Sequence, residues 1–350
     1  MPPWTIKKYR RQSQYYKFYY LCVMQISIIR QTPAASILLM LLLVAMTFTR
    51  FAIAPYGDEL IVGVAAPLGS WCDTFQAHYP VWGGLLSALI VVMIATKLGR
   101  MTSALGLYHV RTTISIPLYV IIACGIFIPT ASLSVIVATY FVMQMLRHLC
   151  GVYVRGTDLN YAFYAGLCIG FAPLFYAPTA IFTLLLPIAI LMFGLSWREV
   201  TVMIAGALLP LLATAYIGWL CGYEFTAPII ALVDAITTPS NYTLWGSESV
   251  VALTLMGYIL FVVICGIASF VADKHSFAVR PRTIMTFLII TLLIACAAFA
   301  LPSATTGLFF AIALPAASLI PIALIRLRDL ASNLSLLTLL VLVILHLFIA

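Results

Sequence analysis

The feature that most constrains this chain is a rhythm of apolar runs broken by short charged clusters. About eleven runs can be drawn, near 33–53, 81–96, 113–128, 132–146, 159–175, 178–195, 200–220, 250–272, 284–301, 305–325 and 334–349. Each is close to the length that carries a helix across the hydrocarbon core of a bilayer. The charges between them are sorted. If every run crosses, all 18 Lys and Arg except Arg50 fall on one side. The two long segments on the other side, 54–81 and 222–249, hold no Lys or Arg and carry Asp58, Glu59, Asp73, Glu224, Asp234 and Glu248. An excess of basic residues marks the cytoplasmic side of a membrane protein. The expected fold is therefore an all-α polytopic transmembrane bundle with the N-terminus cytoplasmic and the C-terminus outside.

Composition excludes a soluble domain. Apolar residues make up 64% of the chain and charged residues 8%, against roughly a quarter charged in a soluble domain. The net charge of +8 comes from clusters between apolar runs, a topological pattern and not a nucleic-acid footprint. No segment between runs is long enough for a second domain. We divide the chain into a basic, aromatic cytoplasmic segment, 1–32, and a single transmembrane domain, 33–350. The first segment interleaves Lys7, Lys8, Arg10 and Arg11 with Trp4, Tyr9, Tyr15 and Tyr16. It reads either as a positive-inside anchor or as a stretch lying on anionic lipid. It lacks the apolar core of a cleavable signal, so the first run acts as an uncleaved signal anchor. The runs at 159–175 and 178–195 are joined only by Tyr176-Ala177, and read either as two short spans or as a re-entrant hairpin.

Candidate chemistry gathers on the outer side. Asp58-Glu59 follows Arg50 by about eight residues. A carboxylate there can take the proton of an acceptor hydroxyl, and a guanidinium matches phosphate oxygens in a bidentate fork. The plain alternative is a solvated acidic pair with Arg50 reaching the headgroups or pairing with Asp58. His78, at the end of the same loop, can hold a phosphate or shuttle a proton, or be merely solvated. In loop 222–249, Asp234, Tyr242, Trp245 and Glu248 suit a short interfacial helix acting as a lid, or simple interface anchoring. Cys72 and Cys221 both map outside, so a disulfide between them is weighed against two free thiols. No Cys or His spacing suggests a metal. Almost no ionisable group falls in the middle of a span, which argues against ion-coupled transport. Trp197-Arg198-Glu199 reads as an interfacial Trp with a local charge pair.

Two resemblances accompany this reading. Tyr161 to Gly166, Gly170 to Pro178, Trp197-Arg198-Glu199 and Gly206 to Pro210 resemble an uncharacterised family of bacterial polytopic inner-membrane proteins, which implies location but no activity. In layout the chain is also similar to the GT-C class of integral-membrane glycosyltransferases. Those enzymes place an acidic motif, often Asp-Glu, in the first outer loop and a further functional loop after the seventh span. The chain departs from that class in having Leu60-Ile61-Val62 after the acidic pair, a short first loop and no soluble outer domain. The resemblance implies catalysis by Asp58, with Glu59 as alternative; the transferase reading adds a polyprenyl-phosphate sugar as donor, with Arg50 and His78 holding the carrier phosphate. Beyond that carrier, the expected partners are membrane lipids, with no nucleic acid. The rival readings are a transporter or flippase of a lipid or uncharged solute, and a non-enzymatic envelope scaffold.

Overall fold

The computed structural model describes residues 36–45, 66–110, 112–127, 132–155, 158–240, 250–327 and 329–349, and all regular structure among them is helical. The helices in chain order are α1 (Ser36–Ala45), α2 (Gly69–His78), α3 (Pro80–Ala104), α4 (Ser115–Phe127), α5 (Leu133–Arg155) and α6 (Leu159–Phe175). A 3-10 segment, Ala177–Leu184, then runs into α7 (Leu185–Phe193). After it come α8 (Trp197–Leu220), α9 (Ala227–Thr237), α10 (Val250–Ala272), α11 (Val279–Ala297), α12 (Leu308–Arg326) and α13 (Asp329–Ile349). Every apolar run carries a helix. Six helices among the described residues are long and apolar enough to cross a membrane: α3, α5, α8, α10, α11 with its short 3-10 extension, and α12.

The outward faces of these helices are apolar. On α3, Val81, Leu85, Leu89 and Met93 are exposed at a spacing of four, one continuous stripe; Ile204, Leu208, Leu212 and Tyr216 make another on α8. Such surface is unsuited to water and suited to lipid. Trp197 is exposed at the start of α8 and Trp219 near its end, where indoles favour the two interfaces.

The core is built around α12. Ala313, Ala316, Ala317 and Ser318 are all buried, and their small side chains let α4, α10 and α11 close around the helix. On α10, a Cβ at Gly266 would lie 2.8 Å from the carbonyl oxygen of Leu319, so the two backbones approach directly. Pro315 and Pro321 each remove a backbone donor from α12. In the turn between them the Ser318 carbonyl accepts from the hydroxyl of Tyr108 at 2.8 Å, which draws the loop between α3 and α4 into the bundle.

A second seam joins α6 to α8. A Cβ at Gly166 would collide with the Met203 carbonyl, one at Gly170 with that of Ala207, and one at Gly206 with that of Phe163. Gly166 and Gly170, four residues apart, form the small-residue spacing that brings membrane helices into backbone contact.

The 159–195 region runs the length of the bundle twice. At its start Tyr161 stacks near His148, far along α5, with ring centroids 5.5 Å apart. At its turn the Leu174 carbonyl accepts from Leu68 N–H at 2.9 Å, beside α2. The return path ends with Phe193 stacked on Tyr153, at the far end of α5, at 4.8 Å. The outgoing and returning segments thus both lie along α5.

Three expectations need correction. α3 continues past Thr96 to Ala104, and α5 past Leu146 to Arg155, so Lys97, Arg100 and Arg147 lie on helices and not in loops. Lys and Arg are good helix formers, and their charged heads reach water from a helical backbone. Glu199 is buried and not paired with Arg198: its Oε2 accepts from the backbone N–H of Ser196 at 2.7 Å, capping α8. The one ion pair given by the described residues is Arg326–Asp273, at 3.7 Å and half exposed.

Candidate functional site

The two long loops share one apolar cluster. Loop 54–81 contains α2, and loop 222–249 contains α9. Leu174 and Ala177, at the corner between α6 and the 3-10 segment, form one buried cluster with Leu232 and Ala235 of α9, and Leu68, just before α2, packs against that cluster. One apolar cluster thus joins segments far apart in sequence. Their periodicity explains the local fold. In α9, Leu232 and Ala235 are buried while Val233 and Asp234 are exposed, the pattern of a helix lying on a surface. In α2, exposed Trp71, Phe75 and Tyr79 recur every four residues.

The opposite face of α2 is polar and fastened to the start of α5. Ser132 Oγ donates to Asp73 Oδ1 at 2.5 Å, and Ser134 Oγ to Oδ2 at 3.3 Å. The Leu133 N–H donates to Gln76 Oε1 at 2.7 Å. These groups satisfy the open N-terminus of α5, and a carboxylate there opposes the positive end of the helix dipole. Burial nevertheless pushes the Asp73 carboxyl above its ordinary range, with the serine hydrogen bonds partly offsetting that rise. Burial, with the adjacent Asp73 charge, pushes the Cys72 thiol up to about 11.

A third fastening holds the corner itself. Tyr176 Oη lies 2.7 Å from Thr305 Oγ1 and accepts from the Thr305 N–H at 3.1 Å. Ser240 Oγ, at the end of the described part of the second loop, donates to the carbonyl of Ala304 at 2.7 Å. Both loops and the α11–α12 connection are therefore tied to one end of the bundle.

His78 ends α2, exposed, with Nδ1 3.0 Å from the Thr74 carbonyl. Because a carbonyl only accepts, Nδ1 carries the proton, and a neutral His78 presents a lone pair at Nε2. Only the imidazolium form offers that edge to a phosphate as a donor. Asp234 points away from the packed face of α9. Arg50, Asp58, Glu59, Tyr242, Trp245 and Glu248 lie outside the described residues, as does the 1–32 segment. Cys72 and Cys221 are both free thiols, so the disulfide considered from the sequence is not formed. Each cysteine is fixed by its own helix, Cys72 within α2 and Cys221 at the C-cap of α8. No three His, Cys, Asp or Glu side chains gather as a metal centre among the described residues.

No family model matches the chain, and neither a curated protein nor a solved structure matches it. The site must be read from its own residues. Sequence reasoning passed over Asp73 and Gln76. The available signal was their spacing of three, which sets both on one face of a short helix opposite its aromatic residues.

Proposed function

We propose that this chain is a polytopic inner-membrane protein in which all eleven apolar segments cross the bilayer. In this reading it transfers a sugar from a polyprenyl-phosphate carrier to an acceptor at the outer face. The observation that supports it is the single apolar cluster that contains Leu174, Ala177 and Leu232 and against which Leu68 packs. It brings together the two outer segments that such a transferase uses, one following Asp58-Glu59 by about ten residues and the other carrying the lid.

The chemistry assigned to each group is simple. The Asp58 carboxylate takes the acceptor's proton, the acceptor oxygen forms a bond to the anomeric carbon, and the bond from that carbon to the carrier phosphate breaks. Arg50 and protonated His78 neutralise the departing phosphate, as cationic donors do for developing charge. The tether from Asp73 and Gln76 to α5 holds the far end of the first loop.

The test is transfer by reconstituted vesicles from a radiolabelled polyprenyl-phosphate sugar, comparing the native protein with Asp58→Asn. Loss of a general base lowers the rate by about two to four orders of magnitude, while insertion stays intact. Full transfer by Asp58→Asn sinks the assignment. A native protein that moves labelled lipid between leaflets without transfer supports the transporter reading instead.

A further inference from the structure

Part-way along the bundle, Lys97 of α3 donates to the hydroxyl of Tyr140 on α5 and lies 4.4 Å from the centroid of its ring. Tyr140, Gln144 and His148 follow one another at intervals of four, so they form a single stripe on α5. Gln144 Nε2 is 3.3 Å from the same Tyr140 oxygen. Two atoms of this stripe, Gln144 Oε1 and His148 Nδ1, are buried without a hydrogen-bond partner. Turning the Gln144 amide over lets Tyr140 donate to its carbonyl, but one end of the amide stays unmatched in either orientation.

The electrostatics are one-sided. Lys97 and Arg147 both lie near enough to act on His148, and Lys97 also acts on Cys168 of α6. Among the described residues no carboxylate is paired with Lys97; the one ion pair they give joins Arg326 and Asp273. An ammonium on a membrane-crossing helix without a counter-charge is costly, and an unmatched buried amide and imidazole add to that cost. One anion with several acceptor oxygens would satisfy all three. The Lys97 ammonium, the Gln144 amide and the His148 ring can each present an N–H to it.

We propose that Lys97, Gln144 and His148, with Tyr140 as their spacer, bind the phosphate group of an anionic phospholipid between α3, α5 and α6. The neighbouring surface favours a lipid over a free ion. From Tyr140 a run of half-buried rings leads from α5 onto α6: Phe141 sits 5.9 Å from Tyr140 and stacks on Phe171 at 5.2 Å and on Phe175 at 5.6 Å. An acyl chain can lie along this run while the headgroup stays at Lys97. Exposed Arg100 and Arg147 flank the entrance, and basic pockets between membrane helices are a known mode of headgroup capture. His148 lies about 22 Å along α5 from its start beside Asp73, at 1.5 Å per residue. Tyr140 lies only about 10 Å from that same start, so the two sites are told apart by their readouts, lipid retention for this one and sugar transfer for the proposed function on which it does not rest.

The full chain is purified in mild detergent, stripped by extended washing, titrated with phosphatidylglycerol, phosphatidylcholine or inorganic phosphate, and read by native mass spectrometry. Preferential retention of one phosphatidylglycerol is expected. Lys97→Gln should weaken it on the order of ten-fold, the worth of a charge-assisted hydrogen bond. Lys97→Arg should keep most of it, and Arg280→Gln, which removes an exposed charge elsewhere on the basic side, should leave it unchanged. Displacement of the lipid by inorganic phosphate supports the same phosphate site with a soluble source. Equal retention of phosphatidylcholine, or equal loss in Lys97→Gln and Arg280→Gln, overturns the proposal. So does a native protein that holds neither phosphatidylglycerol nor phosphate, whatever the variants do.

Discussion

The hydroxyl of Tyr176 accepts the backbone N–H of Thr305, 129 residues further along the chain, at 3.1 Å in a buried setting. This one oxygen holds the corner between α6 and the 3-10 segment to the connection that leads into α12. Tyr176→Phe keeps the ring and removes the acceptor, leaving a buried N–H unmatched. That costs about 1–3 kcal/mol. Thermal unfolding in detergent should show a lower midpoint for Tyr176→Phe than for the native protein. An unchanged midpoint would mean that water or a rearranged Thr305 fills the gap.

Asp73 gives a pH dependence whose sign can be worked out. Burial raises its folded-state pKa above the unfolded value, so the folded chain holds the proton more readily. The stability contributed by this group is fully present below the unfolded pKa and is lost as pH rises through the raised one. The native midpoint should therefore fall between mildly acidic and neutral buffers, and Asp73→Asn, which cannot titrate, should flatten that slope. Parallel slopes for the two proteins would remove Asp73 as its source.

The α6–α8 seam predicts a contrast between two glycines. A Cβ at Gly206 would stand 2.5 Å from the Phe163 carbonyl oxygen, whereas one at Gly257 meets nothing within 4 Å. Gly206→Ala should cost about 1–3 kcal/mol through forced separation of the helices. Gly257→Ala should be neutral or slightly stabilising, within about 1 kcal/mol. Expression level and thermal midpoint, measured side by side, check the pair; equal effects would argue against backbone contact at Gly206.

The cysteines test orientation and local chemistry together. Cys221 is exposed, while the half-buried Cys72 has its thiol held up to about 11, and the thiolate is the reacting form. A membrane-impermeant maleimide added to intact cells should label a chain retaining only Cys221 quickly and one retaining only Cys72 slowly. Labelling of either only after permeabilisation would reverse the proposed orientation.

The helical character was legible because a backbone in lipid has few ways to satisfy its own hydrogen bonds, and every apolar run drawn from the sequence carries a helix. Helix ends were less so. Lys97 and Arg147 look like the edge of a membrane by charge, yet the helix continues beneath them because long side chains can carry charge outward. Glu199 looked like half of a charge pair because sequence shows its neighbour Arg198 but not the backbone N–H of Ser196 that it caps. At the candidate site, His78 and Asp234 were found by residue type. Asp73 was passed over because what distinguishes it is the spatial approach of Ser132 and Ser134, which no local pattern encodes. The cluster that gathers Leu68 and Leu232 around Leu174 is of the same kind, an association of distant segments that only the packed chain reveals.

The buried position of α12 sets a timetable. The ribosome makes this helix late, after nearly everything that surrounds it. Until then α4 and α10 must wait in the bilayer with their mutual partner missing, the Gly266 face of α10 covered by lipid alone. Final closure of the bundle is thus a late event in its biogenesis. A chain stopped short of Leu308 would lack its centre and not its edge, which marks it for quality control and not for partial service.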